Sequence, residues 1–281
     1  MHTEHEEAVI RYYGRPESAI GYRLFLGGAR HVGYYPSGLQ PWRLRQALRE
    51  LEDLVGRELE LPPNSLVLDA GCGLGQVALR LAERFQLDVT GVDLLNSNVL
   101  GARRRTKRST AAARLRFAEM SYAALDFPDE SFDGVYTIES LVHAEDLRVV
   151  LKELHRVLRV GGRAVFLEFS RAPDEELSEQ ARASFSALNA LDEMPGFQEI
   201  THATFQELLD DLGFSCIRNT NIIEQIYPML RLFATIGLIP SAIGRVLHIN
   251  KLMVSSLSAI NIWKFREELA YNVVVAEKRA T

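Results

Sequence analysis

Cysteine is scarce. Cys72 and Cys216 are the only two in 281 residues, far apart in the chain and without partners at metal-ligand spacing. That excludes a disulfide framework and a zinc ribbon, so no metal is expected and a reducing cytoplasm is the expected compartment. An excess of base is missing as well. With 32 Lys and Arg against 37 Asp and Glu the net charge is −5, and no chain-wide cationic field exists to hold a phosphate backbone. Nucleic acid is not an expected partner. The opening stretch "MHTEHEEAVIRYYGR" is acidic and polar and lacks the apolar segment of a secretory signal. The uncharged runs Leu232–Gly244 and Leu252–Trp263 fall short of the roughly 20 residues of a membrane-spanning helix. Internal repeats and low-complexity segments are also missing.

What the chain does have is 47% hydrophobic residues, enough for a large core, and a regular alternation of short apolar strands with amphipathic helices after Pro63. "SLVLDAG", "LDVTGVDLL", "ARLRFAEM", "FDGVYTIES", "RAVFLEF", "SCIRNTNIIEQIY" and "YNVVVAEK" read as seven strands. Between them, "GQVALRLAERF" places Val77, Leu79, Leu81, Ala82 and Phe85 largely on one helical face. "LRVVLKELHRVLRVGG" reads as a helix stopped by its glycine pair, and "TFQELLDDLGF" repeats that helix-then-glycine pattern. Alternation of this kind predicts a doubly wound, mostly parallel α/β sheet with ligands at the carboxyl ends of its strands. Residues 1–60, helical and aromatic-rich, stand outside the pattern as an N-terminal lid segment. Residues 61–281 form the core domain, with cap insertions at about 171–200 and 227–264.

Gly71, Gly73 and Gly75 sit where the first strand passes into a helix, so bare backbone can meet a ligand at a helix N-terminus. The dinucleotide fingerprint needs glycine at position 76, where Gln76 stands, and no Gly-Lys-Ser/Thr follows for a phosphate loop. Asp69, just before the loop, repels a diphosphate and welcomes a cation. Asp93, at the end of the second strand, is placed to accept both hydroxyls of a ribose. An acid at each position suits a nucleoside that carries an amino acid and no phosphate, namely S-adenosylmethionine. Cys72 contributes backbone and small size. The cluster Arg103, Arg104, Arg105, Lys107 and Arg108 on the next helix reads as a solvated face.

"LDAGCGLG", "GVDLL", "LDFPDESFDGVY" and "LHRVLRVGGRAVFLEF", in that order over roughly residues 64–170, resemble the motifs of class I S-adenosylmethionine-dependent methyltransferases. The resemblance implies a Rossmann-like fold and cofactor contacts from Asp69, Gly71, Cys72, Gly73, Gly75, Asp93, Leu94, Asn98 and Ile138. The family often has an acid and a small residue after strand three; here Met120 and Ser121 align there, which implies that adenine is held by backbone and these two side chains.

Two stretches bear on the acceptor. "GYRLFLGGARHVGYYPSG" resembles the N-terminal segment of tocopherol, sterol and cyclopropane-type methyltransferases; Tyr22, His31, Gly33, Tyr34 and Tyr35 match it. This implies substrate contacts from His31, Tyr34 and Tyr35, and a cation-stabilising role for Tyr22. "IESLVHAED" resembles the strand-four end of sterol C-methyltransferases, and its Glu-Ser pair is similar to that of geranyl diphosphate C-methyltransferases. Those enzymes methylate an alkene carbon and leave a carbocation, so Glu139 and His143, spaced to share one face of a helix start, are the expected stabiliser and base.

From Gln225 to Arg266 there is no acid and the composition is mostly apolar. This segment suits a hydrophobic pocket wall first, a subunit interface second and a peripheral membrane contact third. The expected partner is a hydrophobic small molecule, prenylated or terpenoid, with self-association compatible with the composition. The layout also resembles bacterial terpenoid-indole C-methyltransferases of the teleocidin type, in which cyclisation accompanies methylation. O- or N-methylation, a nicotinamide-dependent oxidoreductase and a non-catalytic binding protein of the same fold stand as alternatives.

Overall fold

The structure is a computed structural model that describes residues 3–13, 27–192, 194–246 and 254–280. Seven strands form one sheet in the order β3-β2-β1-β4-β5-β7-β6. They are β1 (Leu66–Ala70), β2 (Asp88–Asp93), β3 (Leu115–Glu119), β4 (Phe132–Ile138), β5 (Leu158–Arg171), β6 (Phe214–Asn221) and β7 (Leu269–Lys278). All neighbouring pairs from β3 to β5 are parallel, and β7 runs antiparallel to both β5 and β6. This is the expected doubly wound, mostly parallel sheet. The chain leaves β1 toward β2 and β3, then returns to the other side of β1 with β4, and such a reversal opens a crevice at the carboxyl ends of β1 and β4.

Apolar residues fill both faces of the sheet. Val67, Leu68, Val89, Val135, Val165 and Phe166 are fully buried, as parallel strands covered by helices require. The covering helices include α2 (Leu44–Leu59), α3 (Gln76–Arg84), α4 (Asn96–Thr106) and α5 (Leu147–Val157). The α5 helix turns Leu147, Val150, Leu151, Leu154 and Val157 inward and starts at Asp146, whose carboxylate caps the Val149 N–H. Ahead of them lies α1 (Glu4–Tyr13). Beyond β5 come α6 (Glu179–Asp192), α7 (Pro195–Glu199), α8 (Thr204–Asp211), α9 (Ile223–Val246) and α10 (Val254–Lys264). The long α9 packs on α10 and β7, and α10 meets α6. Part of the 227–264 segment, residues 247–253, lies outside the described residues. No helix among the described residues is long and apolar enough to cross a membrane.

Three local expectations are corrected. The α5 helix ends at Val157, before the glycine pair, because Leu158 already pairs with Phe132. Gly161, at φ +72°, serves an irregularity inside β5 rather than a helix stop. "IEQIY" from Ile223 belongs to α9 and not to strand six: the Asn221 side chain accepts from the Ile223 N–H as the strand ends. The basic cluster is exposed, as expected, but Lys107 and Arg108 lie past the last residue of α4, and Arg103 and Arg105 donate to the Phe117 and Gly27 carbonyls.

Candidate functional site

The crevice predicted by the strand order is where the glycine loop lies. Asp69 is opposite Gly91 of β2 and Tyr136 of β4, so its backbone is paired on both sides, and its side chain is buried. Its Oδ2 is buried without a hydrogen-bond partner. Burial pushes the Asp69 pKa up to about 7; the Tyr136 hydroxyl opposes this, Asp93 adds to it and His31 opposes it. Tyr136 stops short of hydrogen-bond geometry, its hydroxyl also being unpartnered. A lone carboxyl raised by desolvation gains most from a cationic ligand.

Gly71 and Gly73 have φ of +94° and +51°. A Cβ at Gly71 would press on the Ser140 side chain, whereas at Gly73 it would meet only the Arg30 Cδ, at 3.9 Å. Asp93 fastens the loop to the second strand. Its Oδ2 accepts from the Gly73 N–H at 2.8 Å, and its Oδ1 accepts from the Leu95 N–H and the Asn98 amide at 2.9 Å each. Burial raises its pKa despite these donors.

Two cavities and a slot meet here. The largest, about 340 Å³, is lined by Asp93, Leu94, Asn98, Met120, Ser121 and Ile138 on the sheet side. Helix α1 covers it with His5, Val9 and Tyr13. A slot of about 40 Å³ leads inward past Gly71, Cys72 and Gly73 to Asp69 and His31. The third cavity, about 170 Å³, has a wall of Tyr12, Tyr13, Phe169, Phe185, Phe197 and Phe233. Helices from both expected cap insertions contribute to it, α6 through Phe185 and α9 through Leu230 and Phe233.

Glu139 and His143 line both the first and the third cavity. They do not share a helical face as expected: Glu139 adopts φ +52°, and Leu141–His143 is a single 3₁₀ turn. A non-glycine residue in that region is held there by its surroundings. Glu139 Oε1 accepts from the Val32 N–H and from the Tyr271 hydroxyl, both at 2.9 Å. Burial raises its pKa, against the pull of these donors and of His31. His143 Nε2 shares a 2.7 Å hydrogen bond with the Tyr13 hydroxyl, and the His143 carbonyl accepts from His5 Nε2. The strand-four loop is thereby tied to α1.

Underneath, Glu168 Oε1 accepts from the Thr137 hydroxyl and from the N–H groups of Ser140 and Leu141. Burial pushes its pKa up to about 8 despite those donors.

His31 lines the slot and the third cavity. Its Nδ1 donates to the Val32 carbonyl, and its Nε2 is 3.7 Å from Glu52, an ion-pair distance. Burial disfavours its charge, yet Glu52, the Val32 carbonyl and Glu139 together leave its pKa above the ordinary value.

Gly75, Tyr34 and Tyr35 line none of these three spaces. Gly75 precedes α3 at φ +69°, packed on Ala102 and Phe117. Tyr34 packs against the core, and Tyr35 is buried with its hydroxyl on the Pro41 carbonyl. The Tyr34 N–H donates to the Ala47 carbonyl and the Tyr35 N–H to the Gln225 carbonyl. Tyr22 lies outside the described residues. Sequence reasoning missed Arg30, Tyr13, Tyr271 and Glu168. Only the aromatic density near residue 13 signalled any of them.

A carboxylate before a bare-backbone loop and another fastened to it from β2, with no cationic side chain among the described residues donating to the loop, fit a sulfonium nucleoside better than a diphosphate. The comparisons agree. Residues 68–166 match the model of a methyltransferase domain family. The chain is 33% identical, over 97% of its length and 95% of the relative's, to an S-adenosyl-L-methionine-dependent Diels-Alderase of Talaromyces variabilis. It is 32% identical, over 90% of this chain and 86% of the relative, to an O-methyltransferase of Penicillium expansum. A geranyl diphosphate methyltransferase solved with geranyl diphosphate and sinefungin has the same fold, at a TM-score of 0.78 and 20% identity over 98% of this chain and 100% of that one. A sheet that reverses at β1, a glycine loop flanked by Asp69 and Asp93, and near full-length relatives place the chain in the class I S-adenosylmethionine-dependent methyltransferase family.

Proposed function

We propose that this enzyme methylates a hydrophobic small molecule of specialised metabolism, at an alkene carbon of a prenyl or terpenoid unit, by way of a carbocation on the acceptor. The observation that carries this reading is the aromatic wall of the third cavity with Glu139 where that cavity meets the first. When bound, S-adenosylmethionine supplies a methyl group on a cationic sulfur. Asp93 and Asn98 hold the ribose side, Met120, Ser121 and Ile138 bracket the base, and Asp69 takes the ammonium.

The chain's remaining work is orientation and proton handling. The apolar wall selects a greasy acceptor and excludes water. The π faces of Tyr12, Tyr13 and Phe169 stabilise positive charge as it develops on the acceptor. Glu139, one oxygen fixed by Val32 and Tyr271, keeps the other for the proton that the cation sheds, with His143 as the group nearest the lid.

A second reading is favoured by the relatives' own names, Diels-Alderase and O-methyltransferase. In it the same cavity folds a polyene for cyclisation, or Glu139 deprotonates a hydroxyl. Incubation with methyl-labelled cofactor and a set of prenylated and polyene acceptors, read by mass and carbon NMR, tests both. Label on carbon is expected. Label on oxygen, or an isomerised product without label, overturns alkene methylation.

A further inference from the structure

The last pair of the β4–β5 ladder is Ile138 with Leu167, yet β5 runs on to Arg171. Past Ile138 and Glu139 the strand-four loop has no strand to pair with, so its N–H groups need acceptors from elsewhere. Glu168, one residue beyond that last pair, supplies one. It is 1% exposed and lines none of the three spaces of the site. A single oxygen, Oε1, accepts from the Thr137 hydroxyl at 2.8 Å, the Ser140 N–H at 3.2 Å and the Leu141 N–H at 3.1 Å. These donors bracket Glu139, the residue held at φ +52°, and a strained backbone of that kind persists only where the surroundings fix it.

The seat reaches in two directions. The Ser140 hydroxyl donates to the Ala70 carbonyl at the end of β1, and the Ser140 Cβ lies 2.7 Å from where a Gly71 Cβ would be. The turn therefore rests on the glycine loop. On the other flank Glu168 is opposite Asn272 of β7, next to Tyr271, whose hydroxyl donates to Glu139. Packing alone does not call for a carboxyl at position 168. Its Oε2 is buried without a hydrogen-bond partner among the described residues, a cost that an apolar side chain avoids. Burial, with the Glu139 charge adding to it, keeps the proton on Glu168 against its three donors. The group thus provides an acceptor beneath Glu139 without a second negative charge.

We propose that Glu168 is the positioning residue of the site: by gathering Thr137, Ser140 and Leu141 on one oxygen it holds the turn that aims the Glu139 carboxylate into the junction of the first and third cavities. The assignment rests on the proton-handling role given to Glu139 above.

The test follows Glu139 itself, by carbon-13 NMR titration of carboxyl-labelled glutamate, with the signal assigned by its loss in Glu139→Gln. Beside an intact Glu168, Tyr271→Phe removes a donor and raises the Glu139 midpoint. In a Glu168→Leu background the turn is released and Glu139 no longer meets Tyr271, so the same change should move the midpoint by less than about 0.2 pH. Glu168→Gln keeps an acceptor oxygen and should restore the response. Turnover of S-adenosylmethionine with a prenylated indole gives a second readout. Glu168→Leu should lower kcat by about 10- to 100-fold with the cofactor KM within about twofold, and should cost nothing further in Glu139→Gln. Thermal melting reports whether the variants fold. Should Glu168→Leu not fold, Glu168→Asp, which draws the oxygen back by one methylene, takes its place with the same expectations. A Tyr271 response that survives the loss of Glu168, or a kcat loss that adds in full to that of Glu139→Gln, overturns the proposal. A Glu139→Gln enzyme with undiminished kcat overturns the role of Glu139 instead. A wild type inert toward the prenylated indole counts against the acceptor reading, and the titration then decides Glu168 alone.

Discussion

The Tyr271 hydroxyl donates to Glu139 Oε1 at 2.9 Å, and so joins the antiparallel strand β7 to the loop that ends β4. The same oxygen accepts from the Val32 N–H, so the carboxylate is clamped from two elements. Burial raises its pKa and these donors hold it down. Tyr271→Phe removes a donor, and the expected result is a further rise in the Glu139 pKa. A base needs its anionic form, so the acid limb of the kcat profile should move to higher pH, with kcat down about tenfold near neutrality. Glu139→Gln should cost about 10²- to 10⁴-fold in kcat with cofactor binding retained. If Tyr271→Phe lowers kcat without moving the limb, the hydroxyl only packs.

Asp69 predicts how cofactor affinity depends on pH. Its pKa is pushed up to about 7, foremost by burial, and on the proposed placement the ammonium of the ligand would stabilise the anion. Affinity for S-adenosylhomocysteine should therefore climb as pH rises toward 7, by up to about tenfold per unit, and level off above it. Calorimetry between about pH 5.5 and 7.5 checks this. Asp69→Asn should bind weakly with a flattened profile, which separates its contribution from that of His31, whose pKa is also raised. A wild-type profile as flat as the variant's would contradict the role given to Asp69.

Much of the fold was legible because buried parallel strands must be short and apolar while the helices between them must be amphipathic. The turns at Gly71, Gly73 and Gly213 are marked by residues that tolerate positive φ. The glycine-loop acids were legible for the same reason, since their chemistry is local in sequence. What could not be read was assembled across the chain. Glu139 meets Tyr271 over 132 positions and Val32 over 107; Val32 lies within "GYRLFLGGARHVGYYPSG" but contributes a backbone N–H, which no pattern of side chains marks. For Tyr34 and Tyr35 an aromatic motif gives no sign of which ring faces a cavity; Tyr34 packs on the core and Tyr35 is buried with its hydroxyl on the Pro41 carbonyl. The positive φ of Glu139 replaces the helix start that its spacing from His143 suggested.

Glu168 makes stability depend on pH. Burial pushes its pKa up to about 8 from an unfolded value of 4.5, so the folded protein keeps a proton that the unfolded chain releases. That contribution is complete below the unfolded pKa and is lost as pH rises through the folded one. Asp69, raised to about 7 from 3.8, acts with the same sign. The urea midpoint of the wild-type apo protein should fall between about pH 5 and 8. Glu168→Gln, which keeps an oxygen for Thr137, Ser140 and Leu141 but cannot ionise, should show a shallower fall. An equally steep fall in the variant would mean that Glu168 is ionised in the folded protein at neutral pH.

Gly73 and Gly75 stand two residues apart in one loop, both at positive φ, yet their environments assign them different work. A Cβ at Gly75 would lie 2.8 Å from the Ala102 Cβ and 2.8 Å from the Phe117 ring, inside the junction of α3, α4 and β3. Gly75→Ala combines backbone strain with overpacking, and should destabilise the protein by about 2–4 kcal/mol in urea unfolding. At Gly73 the nearest atom to a Cβ is the Arg30 Cδ at 3.9 Å, an ordinary van der Waals contact, so the methyl fits without a clash on the face of the loop that lines the slot. Gly73→Ala should cost only the strain, about 1–2 kcal/mol, while S-adenosylhomocysteine affinity falls by more than about tenfold, because the ligand can no longer lie against the backbone. Calorimetry and unfolding on the two variants should thus give opposite patterns, the larger loss in stability at Gly75 and the larger loss in affinity, measured on folded protein, at Gly73. If Gly73→Ala binds as the wild type does, the cofactor does not run along this face of the loop.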